Sequence, residues 1–153
     1  MVPESQVGVK AAERARRIRA EALIRMRRQA EQGDFAHALA DLIRDAQTEP
    51  ALLRLHIWRV EQAFMDNRTA ACKRHARLAA EWNGATRSRA GSLTLAWLLH
   101  EQSGGARLAA WLLAIGLDVR DRRGRRVFTL SGPDPYHRFR SAGEDAGGRG
   151  AEP

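Results

Sequence analysis

The sequence predicts a mainly all-α protein: a long basic N-terminal helix, then a small helical domain, with a short β-hairpin or an irregular basic arm near the C-terminus. Three observations predict it. Apolar residues recur at helical spacing through most of the first 117 positions. Gly33, Pro50, Gly84 and Gly116 fall between the periodic segments. The stretch Leu55–Arg77 (LHIWRVEQAFMDNRTAACKRHAR) places two helical patterns on either side of a polar turn.

Residues 1–9 show no pattern and are expected to be disordered. From Lys10 to Gln32 there is neither Gly nor Pro, and Ala11, Ala15, Ile18, Ala22, Met26 and Ala30 make a thin apolar stripe. Around it stand Arg14, Arg16, Arg17, Arg19, Arg25, Arg27 and Arg28, against Glu13, Glu21 and Glu31. This is a helix with little to bury. It is either a solvated, salt-bridged rod or a basic arm along a nucleic-acid backbone, and the arginine excess favours the arm. Gly33 stops it, and Asp34 is placed to cap the next helix. Phe35, Ala38, Leu39, Leu42, Ile43 and Ala46 form a clean amphipathic stripe, and Asp34, Asp41 and Asp45 make this helix acidic scaffold.

Thr48-Glu49-Pro50 is a helix-start signature. The first helix of the central stretch spans roughly His56 to Phe64, on Ile57, Val60 and Phe64. The turn is Met65 to Arg68, and Thr69 is placed to cap a second helix that runs to Trp82. Ala71, His75, Leu78 and Trp82 are its expected buried side, with Lys73, Arg74 and Arg77 on other faces. Asn83-Gly84 ends it. After a polar loop the layout recurs: an apolar helix from Leu93 to His100, a turn at 103–105, and a helix from Ala106 to Ile115 ended by Gly116. Leu55/Leu93, Ile57/Leu95 and Val60/Leu98 share a spacing of 38 residues, a weak repeat that drifts after its first helix. Residues 33–117 are thus one helical domain. Residues 118–130 hold the densest charge cluster, Arg120, Arg122, Arg123, Arg125 and Arg126, with Val127 and Phe128 favouring an extended segment. Residues 131–153 are Gly- and Pro-rich with few apolar anchors and are expected to be disordered.

The chain has 26 basic and 18 acidic residues, a net charge of +8, with arginine at all basic positions except Lys10 and Lys73. Coding bias accounts for Arg over Lys but not for the net charge, which attracts polyanions. Cys72 is the sole cysteine, so no intrachain disulfide forms and a reducing cytosol is the natural compartment. No secretory signal and no membrane span is expected. The histidines (37, 56, 75, 100 and 137) lie far apart, so no metal is expected. No phosphate loop, dinucleotide fingerprint or nucleophile elbow is present, so neither a cofactor, a small-molecule substrate nor an enzyme activity is expected. Cys72 reads as a small core residue and His75 as a packing histidine. His56, beside Arg54 and Arg59, reads as exposed and able to reach a phosphate.

The run RARRIRAEALIRMRRQAEQGDFAHALADLIRDAQTEPALLRLHIWRVEQAFMDNRTAACKR (14–74) resembles the actinobacterial integration-host-factor-like proteins, which are nucleoid-associated DNA-binding proteins with phage and plasmid relatives. The likeness lies in the Arg/Ala-rich leading helix, the L-x-x-L-x-x-A spacer helix and a helix-two-turn-helix unit. It implies a cytoplasmic, nucleoid-bound protein whose turn presents amides and small or basic side chains to phosphates of double-stranded DNA. The matching positions are Asn67, Arg68 and Thr69, followed by Lys73 and Arg74. The family's arginine-rich segment after its last helix looks like Arg122-Arg123-Gly124-Arg125. Met65 and Arg68 stand where the family has Pro and Gly, so strain is expected at Arg68 if that position needs a positive φ.

The function expected is sequence-tolerant binding of double-stranded DNA through Arg14, Arg16, Arg17, Arg19, His56, Asn67, Arg68, Thr69, Lys73, Arg74, Arg77, Arg122, Arg123 and Arg125. Two other readings fit the pattern. One is a winged-helix regulator built on the second helix pair, with residues 118–130 as its wing. The other is a protein-interaction module whose charge is codon bias. The sequence leaves the oligomeric state open.

Overall fold

The computed structural model describes residues 4–85, 87–120 and 122–127, and these are mainly helical. Six α-helices occur among them: α1 (Glu4–Glu31), α2 (Phe35–Thr48), α3 (Ile57–Met65), α4 (Thr69–Trp82), α5 (Leu95–Leu98) and α6 (Ala106–Asp118). Three 3₁₀ turns, Pro50–Arg54, Ala90–Ser92 and Glu101–Ser103, link them. The contacts divide the chain into two compact units, Met1–Gly116 and Leu117–Pro153. No helix among the described residues is long and apolar enough to cross a membrane.

α1 begins at Glu4, earlier than expected, because between Pro3 and Gly33 the only residue of poor helix propensity is Gly8. The expected disorder is therefore absent over residues 4–9; residues 1–3 and 131–153 lie outside the described residues. Only the C-terminal half of the predicted stripe is buried, at Ala22, Met26 and Ala30. Residues 6–14 are all exposed. Gly33 ends the helix at φ +82, with its N–H on the Ala30 carbonyl at 2.9 Å and the Asp34 N–H on Gln29 at 3.0 Å. This double bond pattern satisfies two of the helix's terminal carbonyls. α2 then returns along α1, burying Ala38, Leu42 and Ala46. Arg25 of α1 pairs with Asp45 at 2.6 Å, and the Gln29 amide donates to Asp41 at 3.0 Å. That amide bond, with Arg44 adding to it, holds the Asp41 carboxyl below the usual carboxylate range. Asp34 occupies the N-cap position of α2, but its carboxylate bonds His37 and not a backbone N–H.

The weak repeat is a feature of the fold. Leu55-His56-Ile57 and Leu93-Thr94-Leu95 lie antiparallel, with Ile57 N–H donating to Leu93 at 3.0 Å and Leu95 N–H to Leu55 at 2.8 Å. Each segment follows a 3₁₀ turn and opens a helix, α3 or α5. The backbone keeps the same spacing beyond the point where the side chains stop matching. Asp66 (φ 53, ψ 27) and Gly104 (φ 54, ψ 28) both adopt the left-handed conformation before α4 and α6. The second copy is more irregular than predicted. The expected helix from Leu93 to His100 contracts to the single turn of α5, and a 3₁₀ turn follows. Gly116 does not end α6, which continues to Asp118.

α4 buries Cys72, His75, Ala76, Leu78, Ala79 and Ala80, so its inner face centres one residue past the predicted Ala71. Ala71 and Trp82 are only half-buried. Arg68, not Thr69, occupies the N-cap position. The core also contains a carboxylate. Glu61 is fully buried, and it accepts hydrogen bonds from His75 Nδ1 at 2.6 Å, Asn67 Nδ2 at 3.0 Å and Trp111 Nε1 at 3.3 Å. Trp111 is itself fully buried and meets Phe64 edge-on, with ring centroids 5.9 Å apart.

In the second unit, Arg120 and Arg126 form an isolated antiparallel bridge around Gly124 (φ +74), and Val127 N–H donates to Val119 at 2.9 Å. The hairpin expected at 118–130 is, among the described residues, a bridged turn held by Val119, Arg120, Arg126 and Val127. No strand occurs among the described residues, and residues 128–130 lie outside them.

Because Glu61 accepts from three donors at a fully buried position, Glu61→Ala takes that acceptor from a buried imidazole, a half-buried amide and a buried indole. It should lower the free energy of urea unfolding by about 3–5 kcal/mol, the range for removing one member of a buried pair. A loss under about 1 kcal/mol would show that the network contributes little.

Candidate nucleic-acid interface

The acids of α2 neutralise one end of α1 and leave the other bare. Arg25 is held by Asp45, while Arg27 pairs with Glu31 at 3.4 Å and Asp66 at 3.3 Å. Two and three turns earlier, Arg16 and Arg19 make no ion pair with any described residue. They stand one turn apart on the same face of α1, above Ala20 and Leu23. Facing them, the Pro50–Arg54 turn ends in Arg54, and α3 opens with His56 and Arg59. Pairing with Leu93 and Leu95 fixes the backbone on both sides of His56.

Arg16, Arg19, Arg54, His56 and Arg59 therefore line one cavity of about 390 Å³, with Ala20, Leu23 and Leu55 as its apolar wall. Among the described residues no carboxylate lines it. Arg54 likewise makes no ion pair with a described residue, and Arg59 makes only a stacking contact, its guanidinium 5.2 Å from the Trp58 ring centroid. Four arginines lining one cavity without a counter-charge from a described residue favour an anion there. Their planar N–H forks match phosphate oxygens. His56 is half-buried, not exposed as expected, and its Nδ1 is buried without a hydrogen-bond partner.

Of the residues picked out from the sequence, the structure gathers Arg16, Arg19 and His56. It adds Arg54 and Arg59, whose only signal was their position beside His56. Arg14 and Arg17 are exposed on α1 but do not line the cavity.

The turn before α4 is organised inward. Asp66 takes the positive φ, while Arg68 has an ordinary φ of −65, so the strain expected at Arg68 is absent. Asp tolerates this conformation better than most residues because its short side chain bonds locally. Asn67 donates to Glu61, and Thr69 Oγ1 accepts from Gln62 at 3.2 Å. Lys73 sits 5.2 Å from the Trp58 centroid, with its stem against Gly91. Arg77 pairs with Glu81 at 3.7 Å. Arg68 and Arg74 remain exposed. Arg122, Arg123 and Arg125 are exposed in the second unit. In the second helix pair, Arg107 stacks on Trp97 at 4.8 Å and donates to its carbonyl at 2.9 Å.

Among the described residues no three His, Cys, Asp or Glu side chains are grouped to hold a metal ion. Cys72 is fully buried as expected, its Sγ 3.5 Å from the Asn67 carbonyl. Burial, with the neighbouring Glu61 carboxylate, pushes its thiol up to about 12. No protein-family model, curated protein or solved structure matches the chain.

The Cys72 environment gives a kinetic and an equilibrium expectation. The unfolded thiol ionises near 9.0, whereas the folded one keeps its proton to about 12. Stability should therefore fall as pH rises above 9.0, and at pH 8 an aromatic disulfide reagent should label native Cys72 no faster than the protein unfolds. Rapid labelling of the native protein would contradict this placement.

Proposed function

We propose that this chain is a non-catalytic, largely sequence-tolerant DNA-binding protein of the integration-host-factor-like kind. Its principal phosphate contacts are Arg16 and Arg19 of α1 with Arg54, His56 and Arg59 across the cavity. The observation that carries the reading is that four arginines meet there without a carboxylate. A soluble fold has no structural reason to gather unpaired like charges, because each costs solvation and repels the next. A bound phosphate offsets both costs. The net charge of +8 supports the same reading through long-range attraction to a polyanion. The exposed Arg14, Arg17 and Arg68 are available for further backbone contacts. The bridged turn with Arg122, Arg123 and Arg125 offers another basic segment. Such contacts position a duplex and carry no base code, so tolerance of sequence follows.

Titration against a random-sequence duplex at two salt concentrations tests this. The wild type should bind at low salt with a steep negative dependence on salt. Arg54→Ala/Arg59→Ala and Arg16→Ala/Arg19→Ala should each weaken binding at least about tenfold and reduce the logarithmic salt slope by about two, one for each phosphate lost. Arg68→Ala/Lys73→Ala should have the smaller effect, because neither residue lines the arginine cavity. No binding at low salt would refute the function. Loss confined to Arg122→Ala/Arg123→Ala would move the interface to the second unit.

A further inference from the structure

A second cavity, also of about 390 Å³, shares Leu23 and Arg59 with the arginine cavity and continues it along α1 and α3. Its chemistry is different. Leu23, Ile24, Trp58 and Ala63 make it largely apolar, and no carboxylate lines it. Trp58 is half-buried, while Ile24 is 52% exposed. Arg59 stands at the junction, lining both cavities with its guanidinium over the Trp58 ring. Lys73 is the other cation on that ring, so a half-open indole lies in a positive field beside an anion site. Each space falls in the size range of small-ligand sites.

Resting on the phosphate reading above, we propose that this groove takes an unpaired nucleobase of a DNA strand whose phosphate is held by Arg16, Arg19, Arg54 and Arg59. The base stacks on Trp58 in place of the Arg59 guanidinium that covers the ring, and Arg59, which also lines the arginine cavity, turns to the phosphate. A fully paired duplex hides its base faces in the stack, whereas a bulged or single-stranded nucleotide presents one. The protein therefore binds a backbone anywhere but prefers a strand with an unpaired base. Charge complementarity selects a nucleotide over an apolar partner: a hydrophobic peptide fits the Trp58 groove but gains nothing from four adjacent guanidinium groups. Base stacking on an aromatic residue tolerates any base, in keeping with sequence-tolerant binding.

The test measures binding of the full chain to three labelled duplexes of one sequence: fully paired, with one unpaired thymidine bulge, and with the same bulge lacking its base. The wild type should bind the base-containing bulge at least about fivefold tighter than either other probe, the low end of what one stacked base contributes. Trp58→Ala should bring the three affinities together, and Trp58→Phe, which keeps a ring, should retain most of the preference. Equal wild-type affinity for the paired and bulged duplexes would overturn the base site and leave the phosphate reading standing. Equal tightness for the abasic bulge would also overturn it, by tracing the preference to DNA flexibility. Failure to bind any of the three probes would overturn both readings. The wild-type comparison decides even if Trp58→Ala fails to fold.

Discussion

Glu61 is wholly buried, and a carboxylate survives there because Asn67, His75 and Trp111 each bring an N–H group to it. Removing a charge from water costs several kcal/mol, and only good geometry returns that cost. The network therefore demands specific positions for its three donors. Asn67 fixes the turn after α3, His75 the rotation of α4, and Trp111 the approach of α6. Leu or Val at this position would pack equally well in several registers. A carboxylate satisfied from three elements packs well in one. α3 thus has one side locked in the core through Val60 and Glu61, while Trp58 and Arg59 on the other side face α1.

That locking has an electrostatic consequence. α1 presents a row of arginines, and α2 delivers acids only to its C-terminal half, through Asp45 and, by way of Gln29, Asp41. The 3₁₀ turn and the first turn of α3 then deliver Arg54, His56 and Arg59 to the half that has no acids. Opposite charge stabilises the packed end of the helix pair, and like charge accumulates at the open end. The protein bears the repulsion because the backbone around His56 is held by hydrogen bonds to Leu93 and Leu95. A bound anion relieves that repulsion, which favours anion capture.

Much of this layout was legible in the residues. Gly33, Gly84 and the turn at Asp66–Arg68 end helices where their chemistry says they should, and Ala22, Met26 and Ala30 pack as their spacing implies. The arginine cavity was legible only in halves, because Arg16 and Arg54 are far apart in sequence and meet through tertiary packing. Glu61 was not legible at all. A lone Glu at a helical position reads as solvent-facing, and nothing local reveals that three donors converge on it. Leu55/Leu93, Ile57/Leu95 and Val60/Leu98 mark the repeat, and the side chains diverge after them. It persists in the backbone, where Asp66 and Gly104 share a conformation with unlike side chains. Asn67 and Thr69 looked like phosphate ligands because turns expose polar groups, yet both side chains bond to α3.

The central claim is that the face between α1 and α3, and not the turn before α4, receives the phosphate backbone. It is tested most directly by following backbone amide and arginine side-chain resonances of isotope-labelled protein during titration with a short duplex. The account predicts that the largest shifts fall on Arg16, Arg19, Arg54, His56 and Arg59. Shifts confined to residues 66–77 and 122–126, with the α1–α3 face unmoved, would contradict it.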